Sequence, residues 1–204
     1  MGRRNRRAPG ERRTILWSAA ALGVVAGIVL GCAQPPAFRG TVLDPPRAVE
    51  DFTLHDQFDK PVRLSDFRGR VAVLTFLYTS CPDVCPIIAG KLRSTVESLG
   101  EAGHGIAIVV VTVDPERDTV ERVRAYSEQH RMLDRWHFVT GGMQALRPVW
   151  EYYWVGTVRK DRKGEVMHQA PVHLIDRQGK IRVVYGSGFE AADLAHDIRL
   201  LLKS

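Results

Sequence analysis

Two cysteines separated by three residues are the part of this chain best equipped for chemistry. They stand in the run Cys81-Pro82-Asp83-Val84-Cys85-Pro86. A proline lacks an N–H and clashes one turn back, so Pro82 and Pro86 do not both sit inside a helix. The expected arrangement is a tight loop with Pro86 in the first turn of a following helix. Both sulfurs then lie near a helix N-terminus, where the positive dipole end favours thiolate over thiol. Three chemistries are open to such a pair. A structural disulfide would close a tiny loop and remove little unfolded-chain entropy. A dithiol oxidoreductase usually spaces its cysteines by two residues rather than three. A metal site is the third, and two thiolates suit a soft ion such as Cu(I), whereas structural zinc normally takes four ligands. One further cysteine exists, Cys32, at the end of an apolar N-terminal run.

A third ligand would be histidine or methionine, and there are seven histidines. His55, His104, His130, His137 and His196 read as solvated residues of loops, turns and helix surfaces. His168 and His173 flank the start of a strand expected beside the Cys81 loop. His173, inside that strand, reads as a half-buried structural histidine. His168 precedes it in a polar loop that could reach over the cysteines. Met167 reads as an ordinary methionine. Asp114 and Asp118 read as structural, the first at a strand-end turn and the second as a helix N-cap completed by Glu121 in a capping box.

Positioning these groups requires a scaffold. Val71–Tyr78 and Ile106–Val113 are nearly continuous β-branched and apolar runs, the pattern of strands buried on both faces. Ile88, Leu92, Val96 and Leu99 between them fall at helical spacing, with Gly100 and Gly103 as stops. Strand, helix, strand implies a right-handed crossover and parallel pairing. The cysteines therefore sit beyond the carboxyl end of the first strand, where open α/β sheets present ligands. A second helix follows Asp118. A third over Met143, Leu146, Trp150 and Tyr153 is of doubtful continuity because of Pro148. Val172–Asp176 and Ile181–Tyr185 read as a β-hairpin, and Leu194, Ile198, Leu201 and Leu202 as a closing helix. Phe52–Leu54 and Val62–Leu64 form an opening hairpin. This order predicts an α/β, thioredoxin-like fold: a central mixed sheet flanked by helices, with an N-terminal β-hairpin. Pro171 sits just before a strand, where thioredoxin-like redox enzymes keep a cis proline, and it keeps an enzymatic reading open.

The formal charge is +6 over 204 residues, but it is concentrated at one end. Residues 1–31 hold six arginines and a single acid, Glu11, whereas the chain from Cys32 onward carries 23 basic and 22 acidic residues. A nucleic-acid interface needs basic residues clustered on the folded domain, so this class is excluded. The arginines precede the uncharged run Ile15 to Gly31, the grammar of an export signal or a short membrane anchor. Arg12-Arg13-Thr14-Ile15-Leu16 resembles a twin-arginine signal. Val29-Leu30-Gly31-Cys32 resembles the lipobox of bacterial lipoproteins, with Leu30 a less usual choice, so Cys32 is the expected lipidation site. Either way the domain is placed on the extracytoplasmic, periplasmic face of the membrane, where a thiol pair oxidises unless a metal or reductant keeps it open. Residues 33–48 carry four prolines and read as a semi-rigid tether. The expected organisation is thus signal or anchor over 1–31, tether over 32–48 and domain over 49–204.

Phe76-Leu77-Tyr78-Thr79-Ser80-Cys81-Pro82-Asp83-Val84-Cys85-Pro86, followed by Val113-Asp114-Pro115-Glu116-Arg117-Asp118-Thr119, resembles the Sco/SenC family of copper-binding proteins over roughly residues 50–203. The resemblance implies a copper site of Cys81, Cys85 and one distant histidine, mapping onto His168. It implies binding of Cu(I), with Cu(II) also open, and delivery to the binuclear copper site of cytochrome c oxidase subunit II. An upstream copper donor and a thiol reductant would be the accompanying partners. The alternative is a thiol-disulfide reductase that keeps cysteines of the oxidase subunit, or of another envelope protein, reduced. One departure stands out: the family usually has Asp before this histidine and Ser or Thr after it, and here they are Met167 and Gln169. Loss of the acid would alter how the imidazole is oriented.

Overall fold

A computed structural model describes Gly2 and residues 37–156, 159–160, 166–167 and 169–204, and the folded unit runs Pro36–Ser204. The expected signal or anchor over 3–31, the lipidation site Cys32 and the ligand His168 lie outside the described residues. Among the described residues no helix is long and apolar enough to cross a membrane.

The two apolar runs form the centre of the molecule. Strands β4 (Ala72–Leu77) and β5 (Ala107–Thr112) are buried along their whole length and pair in parallel from Ala72↔Ala107 to Leu77↔Thr112. Helix α1 (Val84–Leu99) crosses between them and buries Cys85, Ile88, Ala89, Leu92, Val96 and Leu99. It ends at Gly100, whose φ of 56° is the left-handed conformation glycine adopts most readily. Shortening a core side chain such as Leu92 to Ala would cost about 2–5 kcal/mol.

The remaining strands complete a six-stranded mixed sheet in the order β1-β10-β9-β4-β5-β6. These are β1 (Thr41–Ala48), β6 (His137–Val139), β9 (Val172–Ile175) and β10 (Lys180–Tyr185). β6 joins β5 in parallel, whereas β9 pairs antiparallel with β4 and β10 with β9. The closing helix α4 (Ala191–Leu202) lies on α1, with Thr95 Oγ1 donating to the Ala191 carbonyl at 3.3 Å and Arg199 Nη2 to Ser98 O at 2.6 Å. The opening hairpin β2 (Thr53–His55) and β3 (Pro61–Arg63) is a separate two-stranded sheet. A second small ribbon, β7 (Arg159–Lys160) with β8 (Val166–Met167), forms in the segment read as a polar loop.

Four expectations are corrected by this architecture. Part of the segment read as a tether is strand β1, which pairs antiparallel with β10 from Thr41↔Val184 to Ala48↔Lys180. The prolines are accommodated because β1 is an edge strand and its register breaks between Val42 and Arg47, the interval holding Pro45 and Pro46. Its entry is tied down by Asp197, whose carboxylate accepts the amides of Arg39 and Gly40. Gly40 is required there, since a Cβ would come within 2.4 Å of Val183 and 2.7 Å of the Tyr185 ring. Second, α2 (Val120–Gln129) is capped by Thr119, which accepts the Arg122 amide, and not by Asp118. Third, α3 (Met143–Tyr152) is continuous through Pro148. Fourth, His137 lies in β6, half-buried against the Phe67 ring and 3.2 Å from Asp56 Oδ2, rather than solvated.

The first correction has a measurable consequence. A chain beginning at Ala37 is expected to unfold cooperatively on heating. One beginning at Val49 loses β1 and uncovers the β10 edge, and its midpoint is expected to drop by at least about 5 °C, or the protein to aggregate. Equal midpoints for the two chains would show that β1 adds nothing to the fold.

Candidate metal centre

The sheet delivers the cysteines to one place. β4 ends at Leu77, the chain turns through Tyr78-Thr79-Ser80, and α1 begins at Val84 with Pro86 in its first turn. Cys81 and Cys85 are both free thiols and both buried, with Cys85 at 0% and Cys81 at 8% exposure. The Cys85 amide, in the first turn of the helix, donates to Cys81 Sγ at 3.5 Å. The expected convergence of the two sulfurs at a helix N-terminus is therefore what the fold produces.

The two thiols are unequal. A hydrogen bond from the Cys85 thiol pulls the Cys81 pKa from 9.0 down to about 5; burial opposes it, while the amides of Asp83 and Cys85 and the Tyr78 hydroxyl reinforce it. The same hydrogen bond, together with burial and the neighbouring Cys81 and Asp118 charges, pushes Cys85 upward. The pair is a slightly exposed sulfur biased toward the thiolate, resting on a buried one biased toward the thiol. Such a thiolate is a soft ligand and a nucleophile, and the second sulfur becomes a ligand once a cation replaces its proton.

Behind the loop lies a carboxylate that the sequence reading assigned to a cap. Asp118 is fully buried and accepts from the Thr79 amide, the Thr79 hydroxyl and the Thr112 hydroxyl. Its neighbour Asp114 pairs with Arg117, whose guanidinium lies 6.0 Å above the Tyr78 ring. No local signal separates Asp118 from an N-cap: an acid two residues before the first helical residue looks the same in either role until the opposing strand ends are in place.

The histidines divide differently. His173 is fully buried rather than half-buried, its Nε2 donating to the Tyr153 carbonyl at 3.0 Å. Its ring packs against Phe76, Tyr153 and Trp154, with centroids 5.4 to 6.3 Å away. Burial, with a smaller contribution from Arg47, lowers its pKa from 6.5 to about 4, and among the described residues its buried Nδ1 has no partner. Gln169, Ala170 and Pro171, which follow the expected ligand in the chain, line an open cavity of about 350 Å³ with Val84, Gly186 and Ser187. Among the described residues the cis peptide bond is Asp44–Pro45, not Ala170–Pro171, and no group of three His, Cys, Asp or Glu side chains is arranged to hold a metal.

His173 carries a pH dependence of stability. Its folded pKa lies below its unfolded value, so stability is fully present above about pH 6.5 and is lost as pH falls toward 4. Between pH 7.5 and 4.5 the loss from this residue is about 2–3 kcal/mol, superimposed on that of the carboxylates. Urea unfolding at the two pH values is expected to show a smaller difference for His173→Phe than for the parent. An unchanged difference would remove His173 from the account.

Comparison with known proteins bears on the same domain. The SCO1/SenC family model matches residues 41–203, beginning where β1 begins. The mitochondrial SCO2 homolog of Mus musculus is 32% identical over 154 residues, covering 73% of this chain and 60% of its own length. ScoI of Arabidopsis thaliana, solved with copper bound, is 25% identical with a TM-score of 0.68, covering 76% of this chain and 97% of that one. BsSco, a member of the Sco family of cytochrome c oxidase assembly proteins in which a disulfide switch was identified, is 24% identical with a TM-score of 0.67, covering 78% and 95%. With the family model spanning the whole sheet and the cysteine loop, the chain belongs to the SCO1/SenC family.

Proposed function

We propose that the protein is a membrane-tethered, extracytoplasmic copper chaperone that carries Cu(I) on Cys81, Cys85 and His168 and delivers it to the binuclear copper site of cytochrome c oxidase subunit II. The observation that carries this reading is the pair of free, buried sulfurs held together beyond the end of β4, with the Cys85 amide donating to Cys81 Sγ. Copper is cargo here, and the donor set fits it: two sulfurs match a soft monovalent ion better than a hard one. Gln169, next in the chain after His168, shares a cavity wall with Val84, which stands between the two cysteines in sequence. Copper-bound ScoI and the oxidase-assembly description of BsSco support cargo and destination. Cu(I) titration of the reduced full-length protein, read by X-ray absorption, tests the site. Two sulfur scatterers and one nitrogen per copper support it, and an all-nitrogen or all-oxygen shell overturns it.

The second reading, a thiol-disulfide reductase acting on cysteines of the oxidase subunit, is favoured by one observation: Cys81 is slightly exposed and accepts the Cys85 amide, whereas Cys85 is fully buried. A thiolate at Cys81 and a protonated Cys85 are the attacking and resolving sulfurs that exchange requires. The tether belongs to either reading. Mass spectrometry of the membrane-extracted protein is expected to find an N-terminus at diacylated Cys32; an intact N-terminus would replace the lipid with an uncleaved anchor.

A further inference from the structure

We infer that Asp118 is a positioning residue for the cysteine pair, its buried carboxylate clamping the Cys81 loop to the ends of β4 and β5. Thr79, two residues before Cys81, gives it both donors: the amide lies 3.1 Å from Oδ1 and 3.3 Å from Oδ2, and the hydroxyl 2.5 Å from Oδ1. Oδ2 takes the hydroxyl of Thr112, the last residue of β5, at 2.5 Å. One carboxylate thus holds three donors from two neighbouring strand ends. Asp118 is itself fixed from both sides, its amide donating to Asp114 O at 2.9 Å and its carbonyl accepting the Thr140 hydroxyl at 2.7 Å.

The loop has weak anchorage of its own. β4 ends at Leu77, Pro82 has no donor, and the Cys81 amide reaches the Tyr78 carbonyl only at 3.4 Å. A loop held this way takes its conformation from the clamp. The separation of the two sulfurs is set by where the chain leaves Thr79 and where α1 begins. Hydrogen bonds to a charged acceptor are roughly twice as strong as neutral ones, and in a buried site they hold a single geometry. A buried carboxylate is costly, so its use at this point, where a neutral cap would serve the helix, fits a structural demand made by the loop.

The inference deepens the copper reading and rests on it for the metal measurement alone. The test uses the reduced full-length protein in detergent with Asp118→Ala, Asp118→Asn, Thr79→Val and Thr79→Ser. Ile198→Ala in α4 serves as a control that lowers global stability away from the site. Two quantities are read: the iodoacetamide labelling rate at buried Cys85, and the Cu(I) affinity by chelator competition. Asp118→Ala and Thr79→Val are expected to speed Cys85 labelling at least tenfold and weaken Cu(I) binding at least tenfold. Asp118→Asn and Thr79→Ser, which keep an acceptor or a hydroxyl, are expected to recover most of both, and Ile198→Ala to leave both within twofold of the parent. Parent-like behaviour of Asp118→Ala, or equal acceleration by Ile198→Ala, overturns the clamp. If Asp118→Ala does not fold, Thr79→Val against Thr79→Ser decides by the same criteria. A parent that fails to bind Cu(I) while Cys85 labelling still responds to Asp118→Ala sinks the copper reading and leaves the clamp standing.

Discussion

Replacing Cys81 by Ser is expected to weaken Cu(I) binding by about two to three orders of magnitude. Structural metal sites release on the order of 10–16 kcal/mol through about four ligands, so one strong ligand accounts for about 3–4 kcal/mol, and each 1.4 kcal/mol is tenfold. Serine is nearly isosteric but offers a hard, protonated oxygen where the site supplies a thiolate with a pKa of about 5. Cys85→Ser is expected to act in the same direction, because a cation at Cys81 would face a neutral hydroxyl in place of the second sulfur. Oxidising the pair removes both thiolates and is expected to abolish Cu(I) binding. His168→Ala weakens binding by about ten- to a hundredfold, less than loss of a sulfur, since imidazole is the less soft ligand. His173→Phe leaves the copper spectrum unchanged, because that ring is committed to the Tyr153 carbonyl. Competition with a chromogenic Cu(I) chelator measures the four variants and the oxidised protein. Parent-like affinity for Cys81→Ser would show the site to be elsewhere, and the reverse order of the two histidine effects would move the third ligand to His173.

Deleting the protein is expected to lower assembled cytochrome c oxidase several-fold when copper is limiting, with partial recovery on adding copper. Mass action fills a recipient site that delivery no longer serves, provided the recipient's ligands are available. The reductase reading makes the opposite forecast. A disulfide in the recipient offers no thiolate to incoming Cu(I), so added copper fails and an exogenous thiol reductant succeeds. Spectroscopic quantitation of the oxidase across copper and reductant levels separates the two. A deletion strain with normal oxidase at every copper level would remove both readings and leave some other role for the same thiol pair. Complementation with Cys81→Ser is expected to match the deletion, because either reading requires that sulfur.

The central elements were legible because their signals are local and redundant. β4 and β5 are unbroken apolar runs, α1 repeats a buried position every three or four residues between them, and Gly100 ends it at positive φ. The hairpin of β9 and β10 turns where Arg177-Gln178-Gly179 was expected to turn it. β1 was hidden for the opposite reason. Its prolines and exposed side chains carry no strand pattern, and it is held by the β10 edge and by Asp197, more than 150 residues away in the chain. Pro148 misled because a proline tests a helix only through its own missing amide and its clash one turn back, and α3 carries Pro148 on its exposed face.

The chemistry divides along the same line. Residue type and spacing alone determined that two sulfurs would stand between a buried strand and a helix start, because the chain carries them there whatever the rest of the fold does. Tertiary structure decided the state of those sulfurs and what holds them. Cys85, the first-turn amides and Tyr78 pull the Cys81 pKa down, and the hydrogen bond to Cys81, with burial in the core, pushes that of Cys85 up. Tertiary structure also took His173 into the core and turned Asp118 from an expected cap into the acceptor for Thr79 and Thr112. Burial, and for His173 and the Asp118–Thr79 contact hydrogen bonding between residues distant in sequence, set these outcomes, and neither has a signature within one turn or one strand of chain.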